Sequence, residues 1–443
     1  MRGAKRAIGA VVTALLVTGT ASAETDEERA RQDRIEELER KVEVLTEELS
    51  ELRTEQAVPE EGGLESYLGL GPAASRIYGL ARGLSIGGYA EGYYRHYVSD
   101  EDADSEDNAD FADALRTVLY VGYKFDEHFV FNSEIEFEHA ETEDNPSGEA
   151  GEVAVEFAAL DWLIRDWANL RVGLVLVPVG FLNEVHEPPF FHGVLRPEVE
   201  RRIIPTTWRE NGAGVYGRLG ESLEYRAYVM SGLDARGLSS SELRGARANG
   251  NQARAEDLAG VVRVDWTPPW IEGALFGGSL YSGGVDQDLP GFHDSNLTLW
   301  ELHAQYRRFG IELRGLVTQV LIGNAADLTR SLRADGDIDP DETIANNWLG
   351  WYLEAAYDLM PWIAPDSGMS LTPFVRYEWY DTQYGVPNGV DFSPDRSQRV
   401  QLWTPGIGFK PNPNVVFKFD YRHFSPDEGE AADEVQVGFG VAF

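Results

Sequence analysis

The sequence contains no cysteine, which excludes a disulfide framework, an iron–sulfur cluster and a thiolate zinc site. Basic residues are scarce: 38 Lys+Arg stand against 75 Asp+Glu, a formal charge of −37. Nucleic acid is excluded as a partner, because it needs a basic face to neutralise its phosphates. Lysine is scarcer still, at Lys5, Lys41, Lys124, Lys410 and Lys418. Long apolar runs are missing as well. Beyond residue 23 the longest, Val172 to Leu182, is interrupted by Pro178 and falls short of the ~20 residues a membrane-spanning helix requires. What the chain does have is 11% aromatics and 46 Gly in 443 residues, too rich for a disordered acidic protein.

The pattern along the chain divides it into four parts. Arg2, Lys5 and Arg6 precede an apolar stretch from Ala7 to about Val17, and Ala21-Ser22-Ala23 supplies a small-residue cleavage site. Residues 1–23 therefore read as a secretory signal peptide, cut after Ala23. Within 24–58, Ile35, Leu38, Val42, Leu45, Leu49 and Leu52 alternate spacings of 3 and 4 among charged residues. This is a short coiled-coil seam, with β-branched or Leu residues at a and Leu at d, a choice that leans toward two strands. Residues 59–83 read as a linker.

From Leu84 to Phe443 a period of two takes over. In the last segment Val435, Val437, Phe439, Val441 and Phe443 share one face, while Glu434, Gln436, Gly438, Gly440 and Ala442 share the other. Sixteen such segments can be counted, at 84–98, 113–125, 128–140, 151–163, 169–180, 212–219, 223–232, 259–267, 271–282, 296–308, 310–320, 347–359, 370–382, 397–410, 415–424 and 433–443. Long polar connections, such as 99–112, 181–211, 233–258 and 321–346, alternate with tight turns. Trp162, Trp167, Trp266, Trp270, Trp348, Trp351, Trp362 and Trp379 sit near segment ends, where amphipathic rings would mark the two lipid–water boundaries. The expected fold is all-β: a 16-stranded antiparallel transmembrane β-barrel over 84–443, preceded by the coiled-coil helix.

With its terminal aromatic strand the chain resembles the outer-membrane porins, most closely the phosphate-selective porin O and P family. The likeness is most specific at Val177-Pro178-Val179-Gly180-Phe181, Val199-Glu200-Arg201-Arg202 and Trp208-Arg209-Glu210-Asn211-Gly212. It implies an outer-membrane location, a homotrimer, recognition of Phe443 by the barrel-assembly machinery, and a third outer loop that folds inward. The lysine-rich phosphate trap of the name-giving members is missing.

Sixteen tilted strands enclose an aqueous channel, so function reduces to what lines it. Taking apolar side chains as lipid-facing assigns Arg226, Arg263, Asp265, Glu312, Arg314, Arg376, Glu378, Lys418, Asp420 and Arg422 to the lumen. The loop 181–211 and its flank carry Arg196, Glu198, Glu200, Arg201, Arg202, Arg209 and Glu210, the candidates for a charged constriction. Their sign is left open, with a lean toward anions. The expected function is passive diffusion of small hydrophilic solutes and ions; the alternative is a structural barrel whose coiled coil spaces or tethers the membrane. The eight histidines are scattered, with only His186 and His192 close together, and no nucleophile elbow, P-loop or H-E-x-x-H is found. No enzyme, cofactor or metal site is expected.

Overall fold

A sheet with an apolar outer face can satisfy its backbone in a lipid solvent only by closing on itself. The computed structural model describes residues 66–98, 109–145, 150–292, 294–387, 389 and 394–443, with Arg34, Glu37, Arg40 and Lys41. Its strands are β1 (Gly83–Val98), β2 (Phe111–Lys124), β3 (Phe129–Glu138), β4 (Val153–Arg165), β5 (Ala168–Leu176) and β6 (Arg209–Leu219). They continue as β7 (Leu223–Ser231), β8 (Leu258–Trp266), β9 (Ala274–Gly284), β10 (Asn296–Arg308) and β11 (Ile311–Ile322). The last five are β12 (Asn347–Tyr357), β13 (Ser370–Gly385), β14 (Arg399–Asn412), β15 (Val415–Pro426) and β16 (Asp433–Ala442). Each pairs antiparallel with its sequence neighbours, and β16 pairs with β1, so the sixteen strands form one closed barrel.

The seam closes by register. Tyr89 faces Ala442 and Val98 faces Asp433. One step beyond, Phe443 N–H donates to Gly88 O at 2.8 Å and Gly88 N–H donates to Phe443 O at 2.9 Å. The outer face exposes Val262, Leu280, Leu302, Leu353, Phe417, Val437 and Phe439, among others, as the period of two predicts.

Three differences from the sequence-based expectation have physical causes. First, β5 stops at Leu176 and not at 180, because Pro178 has no N–H for the ladder and Gly180 turns left-handed at φ 74°. Second, Trp348 is fully buried and does not join a girdle. Its indole N–H donates to Ala345 O at 3.2 Å, and the ring packs into an apolar cluster inside the barrel. Ile203, Ile204 and Trp208 of the third loop build that cluster with Leu233, Leu238 and Leu243 of the fourth and Leu328, Leu332 and Ile344 of the sixth. Third, the linker 59–83 contains helix α1 (Pro72–Gly79). Proline at its first turn suits the missing N–H, and Ala73, Ala74 and Ile77 are buried. Asn132 Nδ2 and Lys124 Nζ of the wall donate to its carbonyls at Ala74 and Tyr78, each at 2.9 Å.

Arg34, Glu37, Arg40 and Lys41 are helical, and Lys41 pairs with Glu37 at 2.7 Å. The heptad residues Ile35 to Leu52 and the signal peptide lie outside the described residues.

Because the closing pair uses the backbone of residue 443, deleting Phe443 removes two seam hydrogen bonds and an outward aromatic. The expected outcome is less heat-modifiable barrel in the membrane fraction, measured by the shift between heated and unheated samples on gels. Wild-type levels would contradict the role given to this seam.

Candidate functional site

The third loop, residues 177–208, leaves β5 and returns to β6 through the barrel interior. Asn183 staples its neck: Nδ2 donates to Val177 O at 2.7 Å and Trp208 O at 2.9 Å, and Oδ1 accepts from Trp208 N–H at 2.7 Å. At Gly180 a Cβ would lie 2.6 Å from Glu200 Oε2, so glycine serves both the left-handed turn and the close approach. A second left-handed glycine, Gly193 at φ 85°, redirects the loop across the lumen.

Inward-facing charges around the wall then hold the loop in place. Arg226 pairs with Glu184, and Arg263 donates to Gly180 O. Arg376 Nη1 donates to His192 O at 3.2 Å, and Val194 N–H donates to Asp420 at 2.5 Å. At the far side lies the short helix α2 (Val199–Arg202). Val199 N–H donates to Glu378 at 3.0 Å, and Tyr352 O–H donates to Glu200 at 2.7 Å. Glu198 receives Arg422 at 2.5 Å, Arg201 at 2.5 Å and Arg202 at 3.2 Å. Burial alone would raise the Glu198 carboxyl; Arg201, Arg422 and Arg202 outweigh it and hold the group well below the usual carboxylate range.

The residues singled out from the sequence therefore occupy distinct places. Arg226, Arg263, Asp265, Glu312, Arg314, Arg376, Glu378, Lys418, Asp420 and Arg422 all point into the lumen, where most bind one another or the loop. Arg263 and Arg226 share Asp265, each at 2.8 Å, and Arg314 pairs with Glu312 at 2.8 Å. Of the loop candidates, Glu198 and Glu200 are buried anchors, and Arg202 pairs with Glu198. Arg209 pairs with Glu156 at 3.5 Å. Glu210 accepts from Ser231 at 2.8 Å and from Ala248 N–H at 3.1 Å, which ties down the fourth loop. Arg196 and Arg201 border open space.

That open space lies to one side of the barrel. On the long-loop side a cavity of about 230 Å³ is bordered by Glu91, Arg95, Arg116, Glu138, Arg196, Arg201 and Arg244, with Phe191 and Val194 at its floor. On the short-turn side a cavity of about 400 Å³ is bordered by Phe190, Phe191, His192, Arg307, Glu312, Lys410 and Lys418. Phe191 belongs to both. Between them a void of about 10 Å³ touches Glu91, Val194 and Lys418, room for about one water. Lys418 Nζ lies 3.6 Å from the centre of the Phe191 ring, a cation–π contact.

Five arginines against two glutamates border the outer cavity. Arg116 is bound to Glu91 at 2.6 Å and Arg95 reaches Glu434 at 3.6 Å. Among the described residues neither Arg196 nor Arg244 has a carboxylate partner, and Arg196 Nη2 is buried without a hydrogen bond. Sequence reasoning missed Glu91, Arg95, Arg116 and Arg244. Arg116 was legible, since its neighbours Leu115 and Leu119 face outward; Glu91 and Arg95 were masked because Gly88, Ala90 and Gly92 blur the outer face of β1. A buried trio, Glu134, Glu156 and His186, has the spacing of metal ligands.

No family model matches the chain. A protein of Aquifex aeolicus (strain VF5), itself described as uncharacterized, is 38% identical over 374 residues, 84% of this chain and 82% of that protein. The chain belongs to the same family as this Aquifex protein. Among solved structures, Salmonella typhi OmpF in complex with daunomycin superposes with a TM-score of 0.53 at 15% identity, covering 82% of this chain and 98% of OmpF. DcaP, an outer-membrane channel of Acinetobacter baumannii, superposes with a TM-score of 0.51 at 11% identity, covering 81% and 97%. At these identities the likeness establishes the porin fold.

The Glu198 cluster makes a pH prediction. Its folded pKa is depressed, so its stabilisation is present above the unfolded value of ~4.3 and is lost as pH falls through the folded one. The expected outcome is that the loop resists proteases at pH 4 as at pH 7. Arg422→Gln, which breaks a buried pair at a cost of about 3 kcal/mol or more, should make the loop cleavable at both. Mass spectrometry of the fragments checks this, and an intact loop in the variant would refute the anchoring role.

Proposed function

We propose that the chain is an outer-membrane porin, a passive diffusion channel for small hydrophilic solutes with a weak anion preference. The observation that carries this reading is the outer cavity, bordered by five arginines and two glutamates. Arginine stays protonated at any physiological pH. The acids of the outer loops sit in water, where salt screens them within ~8 Å. A passing ion meets the arginines at contact distance between low-dielectric walls, so the local charge dominates. The lysine-poor lumen argues for selection by charge through arginine, within a resemblance to the phosphate-selective porin O and P family. We also propose export through a cleaved signal peptide, recognition by the barrel-assembly machinery, and a homotrimer aided by the heptad segment. No catalytic role is proposed.

A second reading has its own observation. The apolar loop cluster fills one side of the lumen, and the void between the two cavities holds about one water. A barrel closed in this way serves as a structural element of the membrane, and no solute crosses it.

Two measurements test these readings. In planar bilayers the mature protein should give ion-conducting steps, and a salt gradient should give a reversal potential of anion sign. Arg196→Gln with Arg244→Gln should move that potential toward zero. A silent bilayer favours the structural barrel, whereas a cation-selective wild type or an unmoved double variant rejects the arginine cavity as the filter. For assembly, unheated protein in mild detergent should show near three times the protomer mass by light scattering; a monomer would reject the trimer.

A further inference from the structure

His186 stands where the third loop meets the wall, and its Nε2 faces two buried carboxylates at once. Its Nδ1 lies 3.0 Å from the Asn183 carbonyl oxygen, which can only accept, so Nδ1 carries a proton. Its Nε2 lies 3.2 Å from Glu134 Oε1 on β3 and 3.3 Å from Glu156 Oε2 on β4. Ionised carboxylates also only accept. A neutral ring would thus aim its lone pair at two anions. An imidazolium would have one N–H for both. All three side chains are buried, at 0% to 2% exposure, and Glu134 Oε2 is left without a hydrogen bond.

We propose that Glu134, Glu156 and His186 form a binding site for a first-row divalent metal ion, which clamps the third loop to the barrel wall. One donor atom from each residue lies within 4.8 Å of the others. Ligands bonded at ~2.0–2.1 Å in a tetrahedral arrangement stand about 3.3 Å apart, the spacing seen from Nε2 to both carboxylates. An imidazole among the donors selects transition metals such as zinc over calcium or magnesium, which prefer oxygen alone. The Nδ1–H bond to a backbone carbonyl is the outer contact that orients a metal-bound histidine. Arg209 reaches Glu156 through Oε1 at 3.5 Å, which leaves Oε2 turned toward His186. The three ligands reach the site from two strands that the sheet ladder already joins and from a loop more than twenty residues away in sequence, so the ion would tie the loop to the wall. The proposal departs from the expectation, drawn from scattered histidines, that no metal is bound.

The test uses the mature, untagged protein, refolded into detergent with zinc ions present and then desalted. Inductively coupled plasma mass spectrometry should find about one zinc per chain, and the same protein refolded with cobalt(II) should show visible absorption bands of a histidine- and carboxylate-bound ion. Glu134→Gln/His186→Gln should lose both signals, and His192→Gln, elsewhere on the same loop, should keep them. Glu156→Gln serves where the double variant does not assemble. Wild-type protein that retains no more zinc than these ligand variants, or that retains only traces, overturns the proposal. So does a cobalt spectrum unchanged by the substitutions.

Discussion

The structure depends on buried pairing between arginines and carboxylates inside the barrel. A charge taken out of water is costly unless it is met by an opposite charge with good geometry. The inner wall presents Arg226, Arg263, Arg314, Arg376 and Arg422, and all are buried. Their partners come from the wall and from the third loop, as Glu184 does for Arg226 and Glu198 does for Arg422. Neither wall nor loop is electrostatically complete alone. The loop is held across the lumen by these pairs, which form where the packed loop leaves the charges little water.

That same pairing decides where space is left. Loops three, four and six bring isoleucine, leucine and tryptophan side chains together, so one side of the barrel acquires an apolar core unusual for a water-filled fold. Open volume persists beside β1, β2, β14 and β15, at the two cavities that share Phe191. Channel and structural readings differ in whether the step at Phe191 and Lys418 yields to a solute. Charges already paired, such as Glu198 with three arginines, contribute little to what an ion feels. Arginines without a carboxylate partner among the described residues, such as Arg196 and Arg244, are the ones the proposed filter rests on.

Period-two alternation is a local property, and it carried the fold: β10 was located at both ends, and the even strand count followed from alternating connection lengths. The candidate site was legible only in part. The parity of Arg376, Asp420 and Arg422 placed them inside, yet parity is silent on partners. Glu198 and Glu200 read as a constriction in sequence and are anchors in space. His186 drew notice only for its nearness to His192, whereas its partners Glu134 and Glu156 lie dozens of residues earlier.

By itself, then, the sequence determined a closed sheet of alternating faces, because lipid outside and water inside impose a period of two on every strand. It determined that the interior would be charged and the third loop long and stiffened by proline. Only the tertiary structure decided which charges meet. Contacts such as Val194 with Asp420, or Ala73 with Glu187, join residues remote in sequence, and no local pattern encodes them. Their selection is a matter of distance across a folded barrel, where burial turns an unpaired charge into a cost that geometry has to relieve.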